Sequence, residues 1–238
     1  MGNAKEMKEA LNRMVNEHYE TPEIVRFNAF PMTVERGKIL MIHRVFYTMN
    51  RRDCWGSVQS SCPIDIKRLI WEHEKDELMS DPRFGGDHHT AEVGKAMKVT
   101  GLSSEAIASA EVVPGCKAAF GAWLHLSHDS SWLKSFSASA VLERANNNRL
   151  VKGGGSALRD YQRYTEELRR LIGIVPGHDV HNVADEDHSD MMEVALDRYA
   201  TTEQAQREVL DGARESLCYD RAYRGALAVY LETIRDQR

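Results

Sequence analysis

The residues best placed to do chemistry in this 238-residue chain are histidines and carboxylates set at helical spacing. His181, Asp185 and His188 stand at i, i+4 and i+7, so a helix projects all three from one face. The same stripe continues through Met192, Ala195 and Tyr199, an apolar, core-type face. Burying an unpaired carboxylate there is costly unless something compensates its charge. A metal ion does so directly, and neutral imidazole with carboxylate suits iron or manganese. The alternative is a solvated acidic face, because residues 184–190 are polar nearly all round. Asp187 and Asp190 fall off the stripe and read as that solvated face. The pattern gains specificity only if other helices bring matching ligands.

Three further segments do. Glu143 shares a stripe with Trp132, Phe136 and Ala140, although a salt bridge to Arg144 or a neighbouring helix also explains it. The stripe Ile66, Ile70, His73 ends at Glu77, with Glu74 beside it. His89 shares a face with Val93, Ala96 and Met97, whereas His88 lines up with Glu92 and Lys95 on a face read as solvated. Glu77 is therefore preferred over Glu74 and His89 over His88, with Glu74 and His88 held in reserve. Three carboxylates and three histidines from four helices make the inventory of a dinuclear, oxygen-activating iron site. A ferritin-like bundle needs Glu-x-x-His on two helices. This chain offers one related piece, Asp185-x-x-His188, so that fold is disfavoured.

The elements that must position these residues are helical. Prolines at 22, 31, 63, 82, 114 and 176 fence long stretches with apolar residues at helical spacing. Helices are expected over roughly 3–18, 33–58, 63–79, 87–100, 103–112, 115–127, 130–149, 156–172, 178–200 and 202–236. Ser103 and Thr202 supply N-cap chemistry, and Gly101 and Gly173 supply stops. Gly153–Gly155 reads as a loop and lacks the Lys-Ser/Thr of a phosphate cradle. No strand alternation and no repeat appears. Residues 1–238 are read as one all-α domain.

Composition narrows the partners. The chain carries 31 Lys+Arg against 36 Asp+Glu, a formal charge of −5, which argues against a nucleic-acid partner. No apolar run reaches the length of a membrane span. Cys54, Cys62, Cys116 and Cys218 show no CxxC spacing, so a reduced, cytoplasmic protein is expected.

With these residues in view, the sequence resembles the heme-oxygenase-like diiron oxidases, within the group that holds thiaminase II and pyrroloquinoline-quinone synthase. The resemblance runs from about residue 40 to 235 and rests on His181-x3-Asp185-x2-His188, on Glu143 in the preceding core helix, and on an early Glu and His matched by Glu77 and His89. The stretch 71–89 is similar to the acidic-glycine turn of the quinone synthases. It departs in spacing: eleven residues separate Glu77 from His89, with Pro82 and Gly85-Gly86 between. The resemblance implies a heme-oxygenase-like bundle of about seven core helices plus short accessory helices, binding no heme. It implies two Fe(II) per chain, the second held more weakly, with O2 as co-substrate. It implies N-oxygenation or oxidative C–C cleavage of a small amino-acid-like or acyl substrate in a biosynthetic pathway, with no catalytic side chain beyond the metal ligands. Homodimers are compatible with it. A cofactor-free quinone-synthase-like oxidase, a thiaminase-like hydrolase and a non-catalytic helical interaction protein are the competing readings.

Other residues carry weaker signals. The segment 43–52 is similar to an aromatic-plus-Asn-Arg segment of the quinone synthases, and Arg44 or Arg51 suits a substrate carboxylate. Surface arginines on an amphipathic helix explain them equally well. Tyr161 is a candidate pocket residue. His125 and His128 read as a cap and a core histidine.

Overall fold

The computed structural model describes residues 4–79, 88–173, 191 and 193–235. Its elements are α1 (Ala4–Tyr19), α2 (Pro22–Asn28), α3 (Val34–Ser61), α4 (Ile64–Leu78), α5 (His88–Thr100), α6 (Ser104–Ala108), α7 (Pro114–Asp129), α8 (Trp132–Asn146), α9 (Ser156–Arg163), α10 (Glu166–Ile172), a short α11 (193–199) and α12 (Glu203–Thr233). Local chemistry sets the helix starts. Hydroxyls of Ser103, Ser131, Thr165 and Thr202 accept from backbone N–H groups three residues on. Pro22 and Pro114 open α2 and α7, where a missing N–H costs nothing. Gly173 ends α10 at φ 71°, the left-handed cap that glycine adopts without strain.

Helices α3, α7, α8 and α12 pack together in the middle, α1 and α2 lie against α12, and α4 and α5 flank α3. Trp55, Trp123, Phe136, Leu40, Ile66 and Ile70 are fully buried in the core. Helix α8 is buried nearly all round, and its small residues let neighbours come close. Ser137 donates to the Val209 carbonyl at 2.7 Å, across to α12. Gly212 makes that approach possible, since a Cβ there lies 2.2 Å from the Lys134 carbonyl oxygen. A buried ion-pair chain ties α1 to α12: His18 Nε2 lies 2.9 Å and Arg224 Nε 2.8 Å from the Asp220 carboxylate.

The expected helices are present with three differences. The stretch 156–172 is two helices, because Met32 and Thr165 exchange backbone contacts with the break: Met32 N–H donates to Arg163 O at 2.8 Å and Thr165 N–H to Met32 O at 3.1 Å. Helix α2 was not foreseen; at seven residues it is too short to show a period. The helix expected over 103–112 ends at Ala108, since Val113 precedes Pro114 and is held extended. Of the helix expected over 178–200, only residues 191 and 193–200 fall among those described, and all of these but Ala200 are helical. Among the described residues, no helix is long and apolar enough to cross a membrane.

Candidate metal centre

Three helices, α3, α4 and α8, converge on one acidic cluster. Helix α4 buries Ile66, Ile70, His73 and Glu74 on its inner face. Helix α3 packs beside it and sets Trp55 against His73. Helix α8 contributes Glu143, 9% exposed, one turn beyond Ser139. Helix α5 packs on both α3 and α4 and carries His89 in its first turn.

Arg52 is the hub. Its Nη1 lies 3.0 Å from Glu77 Oε2 and 3.2 Å from Glu74 Oε1. Burial works against the Arg52 charge, but Glu77, Glu74 and Glu143 outweigh it and hold its pKa above the ordinary guanidinium value. His73 closes the other side. Its Nδ1 donates to Glu74 Oε1 at 2.9 Å, and its Nε2 lies 3.7 Å from Glu143 Oε1. The Nδ1 bond fixes the ring's orientation and turns Nε2 toward the α8 carboxylate. The Trp55 ring lies over His73 at 5.2 Å and against Phe136 at 5.6 Å, which keeps this side dry.

The structure thus brings Glu74, Glu77 and Glu143 together, two of which were the favoured early and middle ligands. His73 and Arg52 were not foreseen as part of the site. The signal for His73 was present, because it stands on the same stripe as Ile66 and Ile70. His89 has an Nδ1 that is closed off from solvent and has no hydrogen-bond partner among the described residues. His181, Asp185 and His188 lie outside the described residues, as does the side chain of His88. Among the described residues no three ligand-type side chains form a complete ion site by themselves. The donors present nevertheless fit iron: buried carboxylate oxygens, an oriented imidazole and the unused ring nitrogen of His89.

The readings of the α5 face and of His125 and His128 are corrected, and Arg44 and Tyr161 are placed. The face of α5 read as solvated holds Glu92 at 3% exposure, bridged by Lys95 at 2.9 Å. His125 and His128 are surface residues, paired with Asp129 and Ser57. Arg44 is ion-paired to Asp160, so part of its capacity is already used. Tyr161 is half-buried under the Arg169 guanidinium, 4.6 Å from its ring centre.

A family model described as iron-containing redox enzyme matches residues 38–221. The chain belongs to this family. The matched span covers α3 to α12 and every helix of the acidic cluster. A solved structure from Nostoc punctiforme, described as a CADD-like protein of unknown function, has the same heme-oxygenase-like all-α fold at a TM-score of 0.65 and 12% identity, covering 95% of this chain and 97% of that one. No curated protein matches the sequence.

Proposed function

We propose that this member of the family is a non-heme diiron oxidase or oxygenase that uses O2 to oxidise a small amino-acid-like or acyl substrate, by N-oxygenation or oxidative C–C cleavage. The observation that carries the reading is the meeting of Glu77, Glu143 and His73 around a buried positive charge, in a chain whose family contains iron. Buried carboxylates from separate helices need a cation, and imidazole beside them makes the set suited to iron. Glu77, His89 and Glu143, joined by His181, Asp185 and His188 from the sequence, hold the metal, with His73 as an added donor. Bound iron supplies the electrons that activate dioxygen. The protein's own part is orientation and exclusion: Glu74 holds the His73 ring, and Trp55 and Phe136 keep water out.

Anaerobic titration of the metal-free protein with Fe(II), followed by stopped-flow mixing with O2, tests this. About two irons per chain are expected from the two-metal inventory, with a transient visible band and O2 consumption. His188→Ala lowers the iron content. Absence of iron uptake overturns the reading.

A further inference from the structure

Helix α4 turns Ile66, Ile70, His73 and Glu74 inward and carries a second apolar row on its opposite side. Ile64, Trp71 and Leu78 recur at i, i+7 and i+14, so they share one face, and Met79 extends it past the helix end. Ile64 is 66% exposed, Trp71 62%, Leu78 50% and Met79 62%. Single apolar residues on a surface need no explanation, but a row along the whole length of one helix does. Arg68 and Lys75 fill the gaps in the row, one turn before and one turn after Trp71, and both are exposed. Lys67 borders it and donates to the Ser60 carbonyl at 3.1 Å. Glu72 is the acidic residue nearest the row. It lies 3.8 Å from Lys75 with both side chains mostly in solvent, a pair too loose to cancel the charge of the face. Asp65 and Asp76 lie round the side of the helix, with Asp65 held by Arg198 at 2.7 Å. A chain of formal charge −5 thus presents one face that is both apolar and basic.

Charge and size decide what fits this face. A second copy fits poorly. Laid antiparallel so that Ile64 meets Leu78 and Trp71 meets Trp71, the row sets Lys67 opposite Lys75, and laid parallel it sets each basic residue against itself. Like charges oppose both arrangements. A protein partner is short of contact area, because a stable interface takes about 20–30 residues a side. This face is one side of a 15-residue helix. An anionic lipid surface meets every requirement. It is flat and fluid, so it needs no matching groove. A tryptophan, with its apolar body and polar N–H, settles at headgroup level. Lysine and arginine lay their stems on the apolar layer while their charges reach the headgroups, and a negative leaflet attracts them.

We infer that the outer face of α4, built from Ile64, Trp71, Leu78 and Met79 with Arg68 and Lys75 between them, is a peripheral docking surface for an anionic lipid membrane. The helix lies in the interface and does not cross it, in keeping with the absence of a membrane-length apolar helix among the described residues. The inference goes beyond the oxidase reading and does not depend on it, since no candidate metal ligand touches the lipid. Because α4 carries Glu74 and Glu77 on its inner side, docking brings the acidic cluster to about one helix diameter, ~10 Å, from the lipid surface.

The test floats the full-length protein with vesicles of phosphatidylglycerol or of phosphatidylcholine and follows tryptophan emission. Trp55 and Trp123 are fully buried and Trp132 is part-buried, so Trp71 is the tryptophan set to pass from water into lipid. Binding to phosphatidylglycerol is expected, with a blue shift that Trp71→Phe removes, and high salt releases the protein. Phosphatidylcholine is expected to hold little. Trp71→Ser weakens binding by about tenfold, and Arg68→Gln with Lys75→Gln by about twentyfold. Val229→Ser, at an exposed apolar residue of α12, leaves binding unchanged. Melting curves verify that each variant is folded, and the basic pair decides the matter if Trp71→Ser is not. Failure to bind phosphatidylglycerol overturns the inference. So does equal binding to phosphatidylcholine, binding without a shift in emission, or full binding in both the Trp71→Ser and the basic-pair variants. A dimer in analytical ultracentrifugation that Trp71→Ser dissolves, without vesicle binding, assigns the face to a second copy and overturns it. Tighter binding of an acidic amphipathic helical peptide than of vesicles assigns it to a protein partner and overturns it as well.

Discussion

The Arg52 guanidinium reaches from α3 to within 3.0 Å of the Glu77 carboxylate on α4. It stands among the groups that would ligate iron, and in their metal-free form it supplies the positive charge they require. Arg52→Met leaves the buried Glu74 and the part-buried Glu77 without that charge. The metal-free variant is expected to lose about 3 kcal/mol of stability, which lowers Tm by roughly 6–12 °C for a chain of this size. Mn(II) or Fe(II) then raises Tm more in the variant than in the parent. Melting curves with and without metal check this. Equal Tm values without metal would show that the carboxylates do not depend on Arg52.

His73 and Glu74 are expected to separate into two roles. His73→Leu removes a donor nitrogen facing Glu143 and lowers iron content. Glu74→Gln keeps an acceptor oxygen for the ring, so it weakens iron affinity less, within about 10–100-fold. Iron titrations of the two variants, read beside melting curves, distinguish them. A larger loss in Glu74→Gln than in His73→Leu assigns Glu74 as the ligand instead.

His43 is held neutral by geometry. Its Nδ1 donates to the Ile39 carbonyl at 2.9 Å, and its Nε2 accepts the Val113 N–H at 3.1 Å. Burial lowers its pKa, with the Ile39 contact opposing. The unfolded chain then takes up the proton first, so stability falls as pH drops below about 6.5 towards the folded value. Tm measured between pH 7 and pH 5 declines in the parent and declines less steeply in His43→Leu.

Asp220 sets a second, more acidic limb. Burial pushes its carboxyl up, but Arg224 and His18 outweigh this and hold it at about 2. A depressed carboxyl stabilises the fold above its unfolded pKa of about 3.9 and loses that contribution as pH falls through the folded value. The contribution is about 2–3 kcal/mol. Denaturant midpoints between pH 5 and pH 2 should drop steeply in the parent. Asp220→Asn, already destabilised at neutral pH, should show a shallower drop.

Gly212 tests the packing of α12 on α8. Alanine gains about 1 kcal/mol in helix propensity. Its methyl meets the Lys134 carbonyl oxygen at 2.2 Å and the adjoining carbonyl carbon at 3.0 Å, both backbone. Forced separation of two packed helices costs about 1–3 kcal/mol or more. Gly212→Ala is expected to lower Tm by several degrees, whereas Gly56→Ala, with nothing within 4 Å, should raise it slightly.

The sequence alone determined most of the longer helices and several of the faces they bury, because a 3.6-residue period is written in the order of the residues. Ile66, Ile70 and His73 could be placed on one inward stripe, and Glu143 on another, before any contact was known. It could not determine which charges meet. The order of residues puts Arg51 and Arg52 on α3, but only the packing brings Glu74 and Glu77 of α4 to Arg52 and buries Arg51 against the Ser139 carbonyl. The break at Tyr164 followed the same rule, since it is made by Met32, more than a hundred residues away in the chain. Period is a property of a segment, whereas charge pairing and burial depend on what another segment brings to the same place, and only the tertiary structure decides that.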